Sequence, residues 1–170
     1  YGGVAADDES TRTFLEGRAC DLARQLGVGA LELRHLVQRH ADWPRKDLYV
    51  TFRKAIAADH DTNLKAVPRK QRAMIRKGIE AGLASTLTSD ADRLFRTYSA
   101  SVRNLGTPVF PRRYFRLLQE VFGAACENLV VTHQGRDIAA VMSFYFRDEV
   151  LPYYGGSLAQ AREVKGNDFM

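Results

Sequence analysis

The last third of the chain carries the pattern that most restricts its fold. Apolar residues there alternate or run without interruption over 129–132, 138–146 and 150–154. The pairs Gln134-Gly135 and Arg147-Asp148 separate these three segments. Apolar segments of this length, joined by short turns, predict an antiparallel meander of three strands.

The preceding part of the chain has a helical period instead, because its apolar residues recur every three or four positions. Ser89 or Asp90 is a suitable N-terminal cap for one helix, Pro111 starts the next, and Gly123 is placed to end it. The sequence therefore predicts an α/β (α+β) fold with a mixed or antiparallel sheet and flanking helices. The predicted helices cover 11–27, 69–83, 91–105 and 112–122.

Three shorter elements are predicted from local signals. Alternating residues at 30–34 and an apolar run at 49–56 each indicate a strand. Asn167-Asp168 is typical of the N-terminal cap of a further helix. The sequence Tyr1-Gly2-Gly3 recurs as Tyr154-Gly155-Gly156, and each copy precedes a polar loop and a helix start, which suggests a duplicated unit.

Size and composition exclude several classes of protein. The 170 residues suffice for one domain or for parts of two smaller lobes, and no segment approaches the roughly 18 apolar residues that cross a bilayer. The start lacks a secretion signal and a methionine, so we expect an internal start and a cytoplasmic location. Cys20 and Cys126 have no CxxC spacing, and we expect reduced thiols. The net charge of +5 favours an anionic partner.

Several segments together point to a known family. A basic stretch at 68–78 reads Pro-Arg-Lys-Gln-Arg-Ala-Met-Ile-Arg-Lys-Gly, and Gly-Thr-Pro-Val-Phe-Pro follows a predicted helix at 106–111. The meander carries Phe144-Tyr145-Phe146 and Tyr153-Tyr154-Gly155-Gly156. Over nearly the whole chain these segments resemble FemAB-like proteins, which include the aminoacyltransferases that build peptidoglycan bridges. The resemblance is strongest to the branch associated with the PEP-CTERM and exopolysaccharide system.

This resemblance implies a pair of GNAT-like lobes of the acyl-CoA N-acyltransferase fold. Residues 1–60 would then be the end of the first lobe, 61–87 a basic linker helix, and 88–170 the start of the second lobe. Further strands would precede Tyr1 and follow Met170. In this interpretation the repeated Tyr-Gly-Gly marks matching strand ends in the two lobes.

A row of arginines is the first candidate binding site. Arg69, Arg72 and Arg76 are spaced by three and four residues, so a helix places them on one side, with Lys77 adjacent. Guanidinium groups bind phosphate oxygens in pairs, which suits charged tRNA or a nucleotide-linked sugar or peptidoglycan precursor. A solvated helix face that aids solubility is the alternative explanation.

A second candidate site lies at the end of the meander. Tyr153, Tyr154, Gly155 and Gly156 combine aromatic rings with glycines that let a ligand approach the backbone, and the resemblance places a donor or acceptor near them. A sharp turn with core tyrosines is the alternative. Two arginines at a helix start are expected to bind an anion or to be ordinary exposed residues: Arg112 and Arg113.

The sequence supports no metal site, since the spacing of His35 and His40 suits joint ligation poorly. Asp148-Glu149 is expected in a turn rather than in catalysis. No nucleophile, base and acid can be assembled, and the catalytic residues are not predicted. From 158 to 169 Gly166 is the one glycine, so no resident cofactor is predicted and charged tRNA is favoured over acetyl-CoA as donor.

Two functions remain open, and a third ranks below them. The first is an acyltransferase that moves an aminoacyl or acyl group to an amine or hydroxyl of a cell-envelope or exopolysaccharide precursor. The second is a non-catalytic module of the same fold that binds an anionic polymer or a partner in exopolysaccharide assembly. A nucleic-acid binder of another class ranks last, because the aromatic residues do not interleave with Arg and Lys.

Overall fold

The computed structural model describes residues 2–46 and 48–170. These residues form two compact units, an N-terminal unit that ends at Ala55 and a C-terminal unit that spans Ile56–Met170. The first residue of the Tyr1-Gly2-Gly3 repeat lies outside the described residues. Among the described residues, no helix combines the length and the apolar character that a membrane span requires.

The N-terminal unit is built on one long helix, α1 (Glu9–Gln25). Asp8 caps it, since the Asp8 carboxylate accepts a hydrogen bond from the backbone N–H of Thr11 at 2.8 Å. Gly27, with a φ of +62°, follows the helix end in the left-handed conformation that suits glycine. The predicted helix is therefore confirmed.

Both strands predicted for the N-terminal unit are wrong. Within 30–34, Arg34 alone pairs, through an isolated antiparallel bridge to Gly2. The segment 49–56 has no regular structure, and its large side chains are open to solvent, with Tyr49 88% and Phe52 91% exposed. An apolar run becomes a strand only when a neighbouring strand shares its backbone hydrogen bonds, and no such neighbour pairs with this run in the described residues.

The C-terminal unit contains a four-stranded antiparallel sheet, and the predicted meander is confirmed as its last three strands. The sheet order is β1-β2-β3-β4. The turn between β2 and β3 has positive φ at Gln134 (+51°) and Gly135 (+74°), as a tight hairpin requires. The strands are β1 (Ala84–Thr88), β2 (Cys126–His133), β3 (Arg136–Phe146) and β4 (Glu149–Ser157).

The described residues of this unit form six α-helices, of which α4, α5, α6 and α7 pack on the sheet. The predicted helix starts at Asp90 and Pro111 are confirmed. The segment 61–87 is not a single helix, because Pro68 separates two helices and 84–88 joins the sheet as β1. The helices are α2 (His60–Ala66), α3 (Arg69–Glu80), α4 (Ala91–Asn104), α5 (Arg112–Phe122), α6 (Ala159–Glu163) and α7 (Gly166–Phe169).

The cap predicted at Asn167-Asp168 is wrong by two residues. Lys165 precedes α7 with a left-handed φ of +62°, and Asn167 and Asp168 lie inside the helix. The chain turns into α7 at Lys165, and the next residue, Gly166, is closely packed. A Cβ on Gly166 would lie 3.0 Å from Ala161 Cβ and 3.2 Å from Ile138 Cδ1.

The sheet carries a separate apolar cluster on each face. Val130 and Val131 are adjacent in β2 and fully buried, and side chains alternate along a strand, so they point to opposite faces. Val130 belongs to cluster one, which α4 and α5 cover with Leu94 and Phe115. Val131 belongs to cluster two with Leu83 and the helix pair α6 and α7.

Candidate functional site

Strand β4 contains a bulge at one of the predicted site residues. Met142 on β3 pairs with Tyr154, whereas the next residue, Ser143, pairs with Pro152, so Tyr153 has no partner on β3. Pro152 has no N–H, which suits the edge strand that β4 forms in the described sheet. A bulge of this kind leaves backbone groups outside the ladder and redirects nearby side chains.

Two tyrosine hydroxyl groups meet beside the bulge. The Oη atoms of Tyr114 and Tyr154 lie 2.8 Å apart. Tyr114 reaches this position from the first turn of α5, which begins directly after Pro111. The ring of Tyr98, from α4, lies 5.7 Å from that of Tyr154 in an edge-to-face arrangement. The structure thus unites a pair that is 40 residues apart in the sequence.

The tyrosine pair is suited to donating a hydrogen bond rather than to accepting a proton. Burial raises the pKa of Tyr154 above its ordinary value of 10.0, and its hydrogen bond with Tyr114 raises it further. Burial also raises the pKa of Tyr98. One hydroxyl of the pair donates to the other, and the accepting hydroxyl keeps its own hydrogen for a third group.

The two glycines of this segment have different surroundings. Gly156 is buried, and a Cβ there would lie 2.8 Å from Tyr98 Cα and 2.9 Å from Ser101 Cβ, so α4 fills the space that a side chain would need. Gly155 is exposed, and its nearest contact would be Val141 Cγ2 at 3.5 Å. Gly156 therefore allows α4 to pack closely on β4, whereas the backbone of Gly155 is exposed to solvent.

The predicted basic row lies on α3. Arg69, Arg76 and Lys77 are exposed, and Arg72 is half-buried. Arg72 Nη1 donates a hydrogen bond to the carbonyl oxygen of Lys65 at 2.9 Å, which joins the row to the end of α2. Four basic side chains on one short helix form a positive surface that suits phosphate groups.

The row and the tyrosine pair belong to opposite faces of the sheet. α3 packs on α7, where a Cβ on Gly78 would lie 2.9 Å from Phe169 Cβ, and this packing continues into cluster two through Leu83. Tyr114 and Tyr154 instead pack on cluster one. The structure does not bring the two predicted groups together into one pocket.

A family model matches the C-terminal part of the chain. The family model of the acetyltransferase (GNAT) domain matches residues 64–170, which is more than half of the chain. The chain belongs to this family. Acyl transfer is accordingly its general chemistry, and the mixed α/β architecture with an antiparallel sheet agrees with a GNAT-like fold. No curated protein matches the chain.

Residues 158–170 do not form a glycine-rich phosphate loop. Gly166 is buried against Ile138 and Ala161, so its backbone does not face an open cleft. The helix that follows β4, α6, has five residues, and its cap Leu158 makes no side-chain hydrogen bond. Backbone N–H groups at a long helix start, which usually hold a diphosphate, are not offered here.

A groove with a volume of about 730 Å³ lies beside α4 in the GNAT domain. Its charged lining consists of Arg96, Arg103 and Arg112, with no carboxylate among the lining residues. Arg112 also lies over the ring of Phe95, 5.3 Å from its centroid. Arg113, the other arginine predicted at this helix start, is exposed and does not line the groove.

Sequence reasoning missed Arg96 and Arg103. Their spacing of seven residues puts them on one side of a helix, and this was the available signal. The turn at Gly106, with a φ of +74°, then folds 106–109 back against that side of α4. The groove depends on this turn, which the arginine spacing alone does not reveal.

The N-terminal unit has a polar cluster of its own around Glu16. The Glu16 carboxylate lies 3.0 Å from Arg39 Nε and 3.0 Å from His40 Nε2, and His35 Nε2 lies 3.4 Å away. Burial alone would raise the pKa of Glu16, but the hydrogen bonds from Arg39 and His40 outweigh it and lower the pKa. Among the described residues no group of three or more His, Cys, Asp and Glu is arranged to hold a metal.

Proposed function

We propose that the chain is part of a FemAB-type acyltransferase of the PEP-CTERM-associated branch. It moves an aminoacyl or acyl group to an amine or hydroxyl of a cell-envelope or exopolysaccharide precursor in the cytoplasm. The observation that carries this proposal is the bulge at Tyr153 beside the Tyr114–Tyr154 hydroxyl pair. The family match supports acyl transfer, and the resemblance of 68–78 and 106–111 supports the FemAB type.

The chemistry needs a hydrogen-bond donor at the acyl carbonyl oxygen. The acceptor amine or hydroxyl attacks the carbonyl carbon, a new bond to carbon forms, and negative charge develops on the carbonyl oxygen. The bond to the donor oxygen then breaks, and the proton of the acceptor passes to that leaving oxygen. The backbone N–H of Tyr153 at the bulge and the hydroxyl hydrogen that the tyrosine pair does not use internally are the donors we assign to the developing charge.

The tyrosine pair contributes by staying protonated. A raised pKa keeps Tyr154 neutral over the range in which an acceptor amine is reactive, so its hydroxyl remains a donor throughout. The aromatic rings around it also exclude water from the carbonyl. Phe115 contacts Tyr154 edge-on at 5.3 Å and is fully buried, which fixes the tyrosine ring.

The donor we favour is charged tRNA. The arginine row of α3 lies toward the face of cluster two, whereas the tyrosine pair lies on cluster one. A donor that uses both must be large enough to reach around the sheet, and a tRNA meets this condition better than acetyl-CoA. The lack of a glycine-rich phosphate loop in the described residues agrees with this choice.

A transfer assay with labelled donors tests the proposal. The protein is offered charged tRNA and acetyl-CoA in parallel, with a mixture of envelope and exopolysaccharide precursors as acceptors. We expect labelled product from charged tRNA, and a loss of at least tenfold in rate for Tyr154→Phe. Tyr145→Phe is the matched control, because its hydroxyl bonds Glu127 at 3.0 Å and does not join the pair.

Two results contradict the proposal. If the protein turns over neither donor, acyl transfer by this chain is wrong. If Tyr154→Phe and Tyr145→Phe have equal rates, the tyrosine pair has no part in the reaction. The double variant Arg72→Ala with Arg76→Ala tests the row separately, and an unchanged KM for charged tRNA would exclude phosphate binding by α3.

A second function is supported by the same row. Arg69, Arg76 and Lys77 make no side-chain ion pair or hydrogen bond to other described residues, so these three members of the row are open to an external polyanion. A non-catalytic module would bind an anionic polymer through α3 and form no product. Binding of an acidic polysaccharide that falls with the α3 double variant, together with no transfer from any donor, would favour this function.

A further inference from the structure

We propose that the outer edge of β1 pairs with β1 of a second copy of this chain, so that two four-stranded sheets join into one. β1 is an edge strand, because the sheet order is β1-β2-β3-β4 and β2 is its one strand partner in the described residues. Alternate residues of an edge strand direct their backbone N–H and C=O groups away from the sheet. A further antiparallel strand can bind to these groups.

The two edges of the sheet differ in their protection against such pairing. On β4, Pro152 lacks an N–H and the bulge at Tyr153 interrupts the regular edge. Around β1, residues 81–89 read Ala-Gly-Leu-Ala-Ser-Thr-Leu-Thr-Ser, with no charged residue and no proline. Charged side chains, prolines and bulges are the usual devices that keep an edge strand unpaired. β1 has none of the three, so its edge is suited to pairing.

The sequence of β1 suits an antiparallel pairing with itself across a two-fold axis. With full overlap of the five residues, Thr86 lies opposite Thr86 of the second copy, Ser85 opposite Leu87, and Ala84 opposite Thr88. A threonine pair is a favourable cross-strand pair, and a strand without charge brings no like charges together. The two-fold axis repeats each contact, so a second copy supplies the whole matching surface.

An apolar row of the sheet ends at this edge. Leu87 lies opposite Leu129 on β2, and Leu129 lies opposite Val141 on β3, so the three side chains share one face. Leu129 and Val141 are half-buried, whereas Leu87 is 59% exposed. In the two-fold register Leu87 lies diagonal to Leu87 of the second copy, within reach of its side chain. Pairing therefore continues the row and covers its most exposed member.

The small size of the contact sets its strength. Two paired strands of five residues bury less area than the roughly 1,200 Å² below which interfaces are usually weak. The net charge of +5 on each copy also opposes association. We therefore expect a reversible dimer that forms at micromolar concentrations and strengthens as salt screens the net charge.

The contact lies away from the tyrosine pair. β1 and β4 are the opposite edges of the described sheet, and Tyr154 lies on β4. A dimer through β1 therefore leaves the bulge of each copy open. Acyl transfer per chain should not depend on this dimer, so failure of the proposed function and failure of this inference are separate results.

Sedimentation equilibrium of the whole chain, over a wide range of micromolar concentrations, tests the contact. We expect a monomer–dimer equilibrium for the unaltered chain. Thr86→Lys places two positive charges opposite each other at the centre of the pair and should weaken dimerisation at least tenfold. Leu151→Lys is the matched control, because it adds the same charge at a half-exposed position of the other edge strand. It should change the dissociation constant by less than twofold.

A mixture of two variants keeps the test valid if one of them dimerises poorly for another reason. Thr86→Glu alone should also dimerise poorly. An equal mixture of Thr86→Lys and Thr86→Glu should form a heterodimer at least as tightly as the unaltered chain forms its dimer, because opposite charges then face each other. A damaged fold would not regain association in this way.

Four results overturn the proposal. A chain that stays monomeric at all concentrations leaves the β1 edge to a strand of a different protein. Equal dimerisation by the unaltered chain and Thr86→Lys places the contact elsewhere, and a mixture without heterodimer excludes the two-fold register. Association that weakens as salt rises indicates charged surfaces, whereas β1 carries no charge.

Discussion

The two units of the chain are stabilised by different means. In the described part of the N-terminal unit, Glu16 is the one buried residue, and it is held by Arg39 and His40. The C-terminal unit buries apolar side chains on both faces of a sheet, with Leu94 and Phe115 fully enclosed on one face. The first unit therefore depends on charge, and the second on packing.

This difference matters for function, because a site needs a rigid support. The tyrosine pair and the bulge rest on the packed unit, where aromatic rings enclose Phe115 and fix Tyr154. The charged cluster around Glu16 responds to pH and salt, as ion pairs do. We therefore expect the two units to unfold under different conditions, and five measurements test this expectation.

The largest effect is expected for Phe115→Ala. Phe115 is fully buried and is surrounded by the rings of Phe95, Tyr98, Tyr114 and Tyr154. The lost contacts and the cavity should lower the free energy of unfolding of the C-terminal unit by about 3–5 kcal/mol. Chemical denaturation measures this. A loss below 1 kcal/mol would show that apolar packing does not support this unit.

The next largest effect is expected for substitution of Gly156 in β4, compared with the same substitution at Gly155. Gly156→Ala places a methyl group 2.8 Å from Tyr98 Cα, and the clash should cost about 1–3 kcal/mol because the backbone of α4 has to move. Gly155→Ala is the matched control, with an ordinary contact of 3.5 Å to Val141. Thermal unfolding compares the two variants. Equal melting temperatures would contradict the close packing of α4 on β4.

A smaller effect is expected in the N-terminal unit for Glu16→Gln. The neutral amide keeps the shape but loses the charge that Arg39 and His40 contact, at a cost of about 1–2 kcal/mol. Glu9→Gln is the control, since Glu9 also contacts Arg39 but is exposed. Hydrogen exchange of the α1 backbone amides measures the stability of both variants. Equal protection in the two variants would contradict the special role of the buried carboxylate.

The stability difference between wild type and Glu16→Gln should depend on pH in one direction. The folded pKa of Glu16 is lower than its ordinary value of 4.5, so the charge stabilises the fold above that pH and the stabilisation disappears as the pH falls. The gap between wild type and Glu16→Gln should therefore close in acid. A constant gap down to pH 3 would exclude the charge as the cause.

The smallest effect is expected for Tyr154→Phe at high pH. The folded pKa of Tyr154 is above the ordinary 10.0, so the neutral hydroxyl stabilises the fold below pH 10 and loses this effect as the pH rises further. The variant should be less stable by about 1 kcal/mol near neutrality, and the gap should close in alkali. Denaturation at several pH values measures it. If the stability difference between wild type and Tyr154→Phe widened at alkaline pH, the pKa of Tyr154 would be lowered by folding rather than raised.

Much of the C-terminal unit could be predicted from the sequence, since local signals were strong. Asp90, Pro111 and Gly123 mark the ends of α4 and α5, and two short turns separate the strands of the meander. β1 was missed because four of its five residues are exposed and its pattern is polar. Its strand results from pairing with β2, more than 40 residues away, as in Ala84 with Thr132.

The dependence on contacts between distant segments also explains the errors in the N-terminal unit and at the candidate site. The run 49–56 has an apolar pattern, but no partner strand pairs with it in the described residues. The candidate site was predicted in part: Tyr153, Tyr154 and Arg112, which the sequence singles out, lie at the bulge or the groove. Tyr114, Arg96 and Arg103 were missed, because distant segments bring them to these positions and no local pattern records that contact.

The bulge also has a consequence for how the gene can vary. Because side chains alternate along a strand, the extra residue at Tyr153 resets which face each half of β4 presents. The Tyr153 side chain itself is 57% exposed, so many replacements at this position would leave the alternation intact. Deleting the codon would instead remove the bulge and leave a regular strand, in which Pro152 and Tyr154 keep their partners Ser143 and Met142. The bulge therefore depends on the presence of a residue at position 153 more than on its identity.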